Sequence, residues 1–505
     1  MKSTSKALIT NNIKYSAIAR VVAFIVGFAI LPYVMSHTSK ELYGSYELVL
    51  TFTGYLNNLD LGVTPAVIKF VAQFVGTKDQ KNLDKIISAA ITLYVIVGIV
   101  SGIGLLVMSF FFHRIFDVDP ANITAVKQLL WIAAGSSLLV WPARTFDGIL
   151  QGIQRYDWRA AIEIVAAILI ALSAYLIFSL GGNIVHFLLA NYLVMLFKYV
   201  SSYIIGNARY LKAKIIFPYF NKDIFKQIFS FSSFILFSNI FGIIIFQIDN
   251  LVTGIFVSVA SVAIYSVSYK LQDALRTVNS LIGAPLLPAT AMLEGAKDYA
   301  RQTMLLIKGT KYVTLLFGPM VVIVVFFAPV LITSWMGPDL EQSIHPAQIL
   351  TSFWLFNSVT EVGSGMLTAK GYVKYKFMVT VLNAVVNLTF SLILVQKMGI
   401  AGIALGTVIG MVVVQTPLLL RKYLKTMNIS FWQYFDKTIK RNLLVYLCAA
   451  GLSYLVLTYT NLQSLVFVLA AMAVVYVATI AFGFFASLSS EQRQELVSMA
   501  KSFKK

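Results

Sequence analysis

Apolar residues run through this chain in stretches of about 19 or more, broken by short polar segments, and a helix of that length crosses a bilayer core. Fourteen such stretches are read, near 13–35, 42–75, 84–111, 124–143, 158–180, 184–206, 226–257, 261–292, 303–330, 346–369, 377–397, 400–420, 441–460 and 463–486. The pattern predicts an all-α polytopic membrane protein with 14 transmembrane helices. Connections between spans stay within about twenty residues, too short for a soluble domain, so chemistry belongs inside the bundle or at its mouths.

One span breaks the pattern. The run from Ser261 to Glu294 is long enough to span a membrane, yet it holds Lys270, Asp273 and Arg276 near its middle. An ionised side chain there costs about 2.5–3.5 kcal/mol, so such residues usually face a partner or a water-filled path. The span also belongs to an internal repeat. FVGTKD at 74–79 returns as LEGAKD at 293–298, an offset of 219 that also sets Tyr46 on Tyr265 and QGIQRY (151–156) on KGYVKY (370–375), Gly152 meeting Gly371. Spans 1–6 and 7–12 are therefore two copies in one orientation, an arrangement that suits a site between parallel halves. The expected organisation is an N-lobe over 1–206, a cytoplasmic linker over 207–225, a C-lobe over 226–420, an amphipathic basic linker over 421–440 that lies on the membrane surface, spans 13 and 14 over 441–486, and a cytoplasmic tail over 487–505. In the first copy Thr51, Gly54 and Asn57 stand where the second has Lys270, Asp273 and Arg276, so the charge cluster belongs to the second copy alone.

Composition agrees with a membrane protein: of 505 residues 58% are hydrophobic and 12% charged. The net charge of +19 does not signal nucleic acid, because 32 of the 40 Lys and Arg fall in alternate connections on the side of the N-terminus. That bias predicts cytoplasmic termini. A single cysteine, Cys448, and four scattered histidines offer no metal site, and the chain has no Walker A sequence, so neither a cofactor nor direct ATP coupling is expected. The apolar run at 15–35 is too long for a signal-peptide core and is taken as the first span.

The Gly44-Ser45-Tyr46 start of span 2, its DLGVTPAVIKFVAQ exit (60–73), the Gly76-Thr77-Lys78-Asp79 turn and the Gln151-to-Tyr156 loop resemble the Wzx-type O-antigen and polysaccharide flippases. These belong to the multidrug/oligosaccharidyl-lipid/polysaccharide (MOP) exporter superfamily, with the lipid II flippase and the MATE antiporters. The resemblance implies two six-helix lobes in a V, alternating access, a cavity lined by spans 1, 2, 7 and 8, and a bacterial cytoplasmic (inner) membrane location. Its implied substrate is a polyprenyl-pyrophosphate-linked glycan, its further partners membrane lipids and other glycan-assembly membrane proteins. Fourteen spans resemble the lipid-linked glycan branch, in which the two additional spans form a groove for the polyprenyl tail; beyond Arg441, spans 13 and 14 here carry no charge.

Within spans 1, 2, 7 and 8 the ionisable candidates are Arg20, Glu47, Asp60, Lys69, Asp249, Lys270, Asp273 and Arg276. Arg20, Lys270 and Arg276 are the expected receivers of pyrophosphate, since arginine offers a planar fork and lysine a point charge, with Asp60 and Asp273 beside them. Asp249 is a candidate partner of Lys270 or an exchanger of H⁺ or Na⁺. The competing view is that Asp60, Asp249 and Asp273 neutralise the cations and hold the lobes in register. Glu47 and Lys69 lie near span ends, where snorkelling to water is easy. Glu163, Lys198 and Glu361 are expected at the lobe flanks. Gly27, Pro32, Pro65, Pro285 and Pro288 are candidate bending points, and Asn57, Asn58, Gln247, Asn250, Gln272, Asn279, Tyr46, Tyr265 and Tyr269 candidate sugar contacts. No catalytic residue is assigned. A flippase for lipid-linked oligosaccharide is the leading function; a MATE-like cation-coupled exporter, the lipid II flippase and a membrane-bound glycan polymerase or ligase are the competitors.

Overall fold

The computed structural model describes residues 2–58, 62–226, 228, 248–283 and 286–502. Among these residues the regular structure is entirely helical. In chain order the helices are α1 (Lys2–Ser36), α2 (Lys40–Asn58), α3 (Val63–Thr77), α4 (Gln80–Ile115), α5 (Ile123–Gly152), α6 (Tyr156–Ser179) and α7 (Ile184–Ser202), which continues as a π-helix (Tyr203–Leu211). Then follow α8 (Ile248–Phe256), α9 (Val259–Gly283), α10 (Leu286–Gly295), α11 (Tyr299–Met336), a 3₁₀ turn (Pro338–Ser343), α12 (Ile344–Ala369) and α13 (Val373–Met398). The chain ends with α14 (Ile400–Ile409), a second π segment (Gly410–Gln415), α15 (Thr416–Thr426), α16 (Phe431–Thr438), α17 (Lys440–Tyr459), α18 (Leu465–Ala486) and α19 (Ser490–Ser502). Ten helical stretches within the described residues are long and apolar enough to cross a membrane. The protein is a multi-pass membrane protein.

Span 2, read as a single run, is two helices, α2 and α3, and span 8 is described as α9 and α10. The first breaks before α3, where Gly62 takes φ 69° ahead of Pro65; in the second, α9 and α10 flank positions 284–285, which lie outside the described residues. Pro285 and most of the expected seventh span lie outside the described residues.

The repeat is written into the backbone. Helices α2 and α9 begin 219 positions apart, as do α4 and α11. Before the latter pair, Lys78 and Lys297 take left-handed φ of 56° and 55°. Asp79 and Asp298 then cap the helices by accepting from the N–H groups of Asn82 and Arg301, and each donates its own backbone N–H to the carbonyl five residues back, Phe74 and Leu293. The third sequence match is corrected. The left-handed residue of the 151–156 loop is Gln154 and its structural counterpart is Gly371, 217 positions on, so Gly152 and Gly371 are not equivalent. The change falls between the middles of the flanking helices: a Cβ on Gly98 would lie 2.8 Å from the Ser137 carbonyl oxygen, and the corresponding contact in the second copy joins the rings of Phe317 and Trp354. The offset is 219 at the first member of this pair and 217 at the second.

Two compact units divide the chain, residues 1–263 and 264–505. In the first, α3, α4 and α5 share a core around Val67, Phe70, Ile87 and Tyr94. The segment after α7 lies along α4, whose Asp84, Ser88 and Thr92 side chains accept the backbone N–H groups of Lys214, Ile216 and Tyr219. Gly44 of α2 lets the start of α9 approach, since a Cβ there would meet the Val259 carbonyl oxygen at 1.9 Å. In the second unit, α11, α12, α15 and α16 pack around Leu306, Val362, Tyr423 and Tyr434. The Tyr434 hydroxyl bonds to the Val359 carbonyl at 2.8 Å and Thr310 Oγ1 at 3.0 Å, docking α16 from within. Asn442 of α17 bonds to the Lys311 carbonyl and Thr314 Oγ1, and so seats α17 on α11.

Candidate functional site

Lys270, Asp273 and Arg276 follow one another at intervals of three along α9, which keeps them on one face over two turns. Lys270 is exposed and has no hydrogen bond or ion pair among the described residues. Arg276 Nη2 meets Asp273 Oδ1 at 2.5 Å, with the two side chains 43% and 31% exposed. The other face of α9 is buried and polar. Ser268 Oγ donates to the Ser343 carbonyl at 2.7 Å, and Asn279 Nδ2 donates to Glu361 Oε2 of α12 at 3.0 Å. Asn357 adds a longer contact of 3.4 Å to the same oxygen. Fixing this face against α12 leaves the charged face presented.

Glu361 was expected at a lobe flank; it sits instead against the candidate helix. Gln272 and Asn279, read as candidate sugar contacts, are both buried, Asn279 as the donor to Glu361.

In the first unit Arg20 is exposed on α1 and Asp60 and Gln247 lie outside the described residues. Asp249 is 4% exposed in the first turn of α8, and the next residue, Asn250, donates to Thr51 Oγ1 of α2 at 2.9 Å. Glu47 does not reach water, contrary to its expected snorkelling: it is buried, and Oε1 accepts from the Tyr43 hydroxyl at 2.7 Å. One turn separates these residues on α2. Lys69 is exposed, its Nζ 4.9 Å from the Phe70 ring centroid.

The first unit also contains a half-open cavity of about 440 Å³ with largely apolar walls, bordered by Gly27, Tyr46, Thr53, Asn191 and Tyr192. Glu163 and Lys198, expected at a flank, line it. They belong to a chain of charges across three helices. Asp147 of α5 pairs with Arg159 of α6 at 3.0 Å, Arg159 with Glu163 at 3.5 Å, and Glu163 with Lys198 of α7 at 3.6 Å. The signal was available in part: Arg159 and Glu163 stand four apart, the spacing of a helical ion pair. The partner helices were not readable from spacing.

Outside the spans, Glu294 Oε2 at the end of α10 accepts from Lys370 Nζ at 2.6 Å and Gln302 Nε2 at 2.8 Å. Lys370 and Gln302 hold the Glu294 carboxyl below its ordinary pKa. No group of three or more His, Cys, Asp or Glu able to hold a metal occurs among the described residues.

Comparison with known proteins adds the following. The chain aligns over 94% of its length, and 99% of the other chain, with a structure titled lipid II flippase MurJ, inward closed conformation, at TM-score 0.71 and 16% identity. It aligns over 82% of its length, and 99% of the other, with an inward-facing multidrug resistance MATE family transporter of the MOP superfamily, at TM-score 0.71 and 17% identity. The fold is therefore that of the MOP superfamily. A Shigella flexneri protein described as "Putative O-antigen transporter" is 23% identical over 380 residues, 72% of this chain and 86% of the relative. The relatives whose names state an activity are transporters and a flippase. A MatE profile matches residues 235–393. The profile described as "Polysaccharide biosynthesis protein" matches residues 9–294, more than half of the sequence, and the chain belongs to that family.

Proposed function

We propose that this protein is a flippase that moves polyprenyl-pyrophosphate-linked oligosaccharide repeat units from the cytoplasmic to the outer leaflet by alternating access, for O-antigen, capsule or exopolysaccharide assembly. The observation that carries the reading is the presented face of α9, where Lys270 stands exposed and Arg276 half-exposed while the opposite face is bonded to α12. Arg276 offers pyrophosphate a planar pair of donors and Lys270 a mobile point charge; Arg20 supplies the third cation. Asp273 holds the Arg276 guanidinium, and an arriving phosphate competes for it. Asp249 and Asp60 complete the set as charge partners. The reading includes fourteen membrane helices, a bacterial inner-membrane location and both termini in the cytoplasm, the last supported by the distribution of Lys and Arg.

Two features favour a lipid-linked substrate over a small-molecule exporter. The family is one of polysaccharide biosynthesis, and the flippase structure aligns with 94% of the chain against 82% for the MATE transporter, a difference that suits the additional helices α17 and α18. For an inside-negative membrane, carrying the anionic head group outward releases about 2.3 kcal/mol per charge per 100 mV, so the membrane potential is a sufficient driving force.

The test is genetic and biochemical. Lys270→Ala and Arg276→Ala proteins are expected to insert at normal levels yet leave lipid-linked repeat units on the cytoplasmic leaflet of cells depleted of the native gene. Normal glycan output from both variants overturns the site. Drug efflux with an unchanged glycan profile overturns the function.

A further inference from the structure

A second cluster of cations lies away from α9, where the beginnings of α11 and α17 meet α16 and α19. An open cavity of about 760 Å³ there is lined by Lys308, Lys311, Lys437, Lys440 and Arg441, with Asp436 as the one acid among its lining residues. Lys440 is tied to Asp436 at 2.8 Å and Lys308 to Glu495 of α19 at 2.7 Å. Lys311, only 7% exposed, donates to the neutral Gln492 side chain at 2.8 Å. Lys437 and Arg441 are exposed and form no ion pair among the described residues. The cavity wall thus carries a surplus of positive charge that the protein leaves unmatched.

Two neighbouring features point to the source of the anion. The wall formed by Met304 and Lys308 is shared with an apolar groove of about 660 Å³ that runs past Met292, Leu293, Leu305, Tyr312 and Leu316. On α16, whose last turns carry Asp436 and Lys437, Phe431 and Trp432 project into the surroundings, Trp432 at 74% exposure, while Tyr434 anchors the helix inward. Exposed Trp and Phe on a short helix with basic residues mark the membrane–water boundary. A basic cavity at that boundary beside an apolar groove has the two compartments of a phospholipid.

We propose that this cavity binds the phosphate of an anionic phospholipid, with one acyl chain in the adjoining groove. Lys437, Lys440 and Arg441 take the phosphate oxygens from the open side and buried Lys311 from beneath. The α19 helix forms part of the site, because Gln492 and Glu495 orient the two lysines of α11. Under the orientation proposed above the lipid belongs to the cytoplasmic leaflet. The site stands independently of what α9 carries.

The experiment uses the full chain purified from nanodiscs of mixed phosphatidylglycerol and phosphatidylcholine, with retained lipids counted by native mass spectrometry. Wild type is expected to retain phosphatidylglycerol over phosphatidylcholine. The K437Q/K440Q/R441Q variant, altered at exposed positions that leave the fold intact, is expected to lose affinity by about fivefold for each charge removed, and D436N to gain by a similar factor. A control variant, K212Q/K214Q/K222Q, removes three exposed lysines from the segment after α7 and is expected to keep the tight lipid. Equal retention of both lipids overturns the proposal, as does undiminished phosphatidylglycerol on K437Q/K440Q/R441Q or an equal loss in the control. Displacement of the lipid by millimolar inorganic phosphate also overturns it, by showing that a soluble anion is the ligand.

Discussion

Asp273→Asn separates two roles that one carboxylate can play beside a cation. The Asp273–Arg276 pair is three residues apart on one helix, and its partners are 31% and 43% exposed. A pair so open to its surroundings contributes about 0.2–1 kcal/mol to stability, so the substitution is expected to leave folding nearly unchanged. Its effect on binding is opposite in sign to that of removing Arg276. Once the guanidinium no longer has to leave a carboxylate, the same 0.2–1 kcal/mol adds to ligand affinity, tightening it by up to about fivefold. Arg276→Ala removes a charge-assisted hydrogen bond of about 1.5–3 kcal/mol and weakens binding by about 10- to 150-fold. The double variant is expected to match Arg276→Ala, because Asp273 acts on the ligand through the arginine.

The measurement is equilibrium binding of a short-chain prenyl pyrophosphate to the purified protein in detergent, followed by scintillation proximity. Thermal midpoints of all three variants confirm that each is folded. If Asp273→Asn weakens binding as much as Arg276→Ala does, the carboxylate contacts the ligand itself and the competition scheme is wrong. If Arg276→Ala binds like wild type, α9 is not the head-group site.

Two further outcomes follow from packing and titration. Gly44→Ala puts a methyl 1.9 Å from the Val259 carbonyl oxygen and is expected to destabilise the protein by about 1–3 kcal/mol, read as a lowered thermal midpoint; an unchanged midpoint refutes the close approach. Glu294 has its folded pKa lowered by Lys370 and Gln302, so its contribution to stability is fully present above the ordinary value of 4.5 and is lost as pH falls through the lower folded value. Glu294→Gln is therefore expected to show a shallower fall in thermal midpoint than wild type as pH drops from 6 to about 3, and parallel curves refute the linkage.

The repeat was legible because turns impose local demands. A left-handed lysine followed by a capping aspartate needs the same few residues in both copies, and Lys78-Asp79 and Lys297-Asp298 kept them. Helix existence was legible from apolar run length for the same reason that a bilayer selects it. The rotation of each helix about its axis was not. A span that is apolar nearly all round carries little record of which side meets a neighbour, so Glu361, Glu163 and Lys198 looked like flank residues until α12 was set against α9 and α6 against α7. Glu47 misled for a related reason: depth along the helix predicted access to water, and the neighbouring Tyr43 hydroxyl supplied a partner inside instead. The break in span 2 left its own mark, Gly62 and Pro65, but hydropathy averages over it.

The offset that falls from 219 to 217 between Phe317 and Trp354 bears on how the two halves have diverged since they were copies of one gene. Losing two residues within α11 or α12 would turn every later side chain of that helix by about 200° and carry its packed face to the far side. The corresponding approaches at Gly98–Ser137 and Phe317–Trp354 are both present, so the two-residue difference is taken up around where the chain leaves one helix and enters the next, near Ile115 and Ile123 in the first copy and Met336 and Ile344 in the second. Length in this architecture is free to drift at such joints, and the faces of its helices are not.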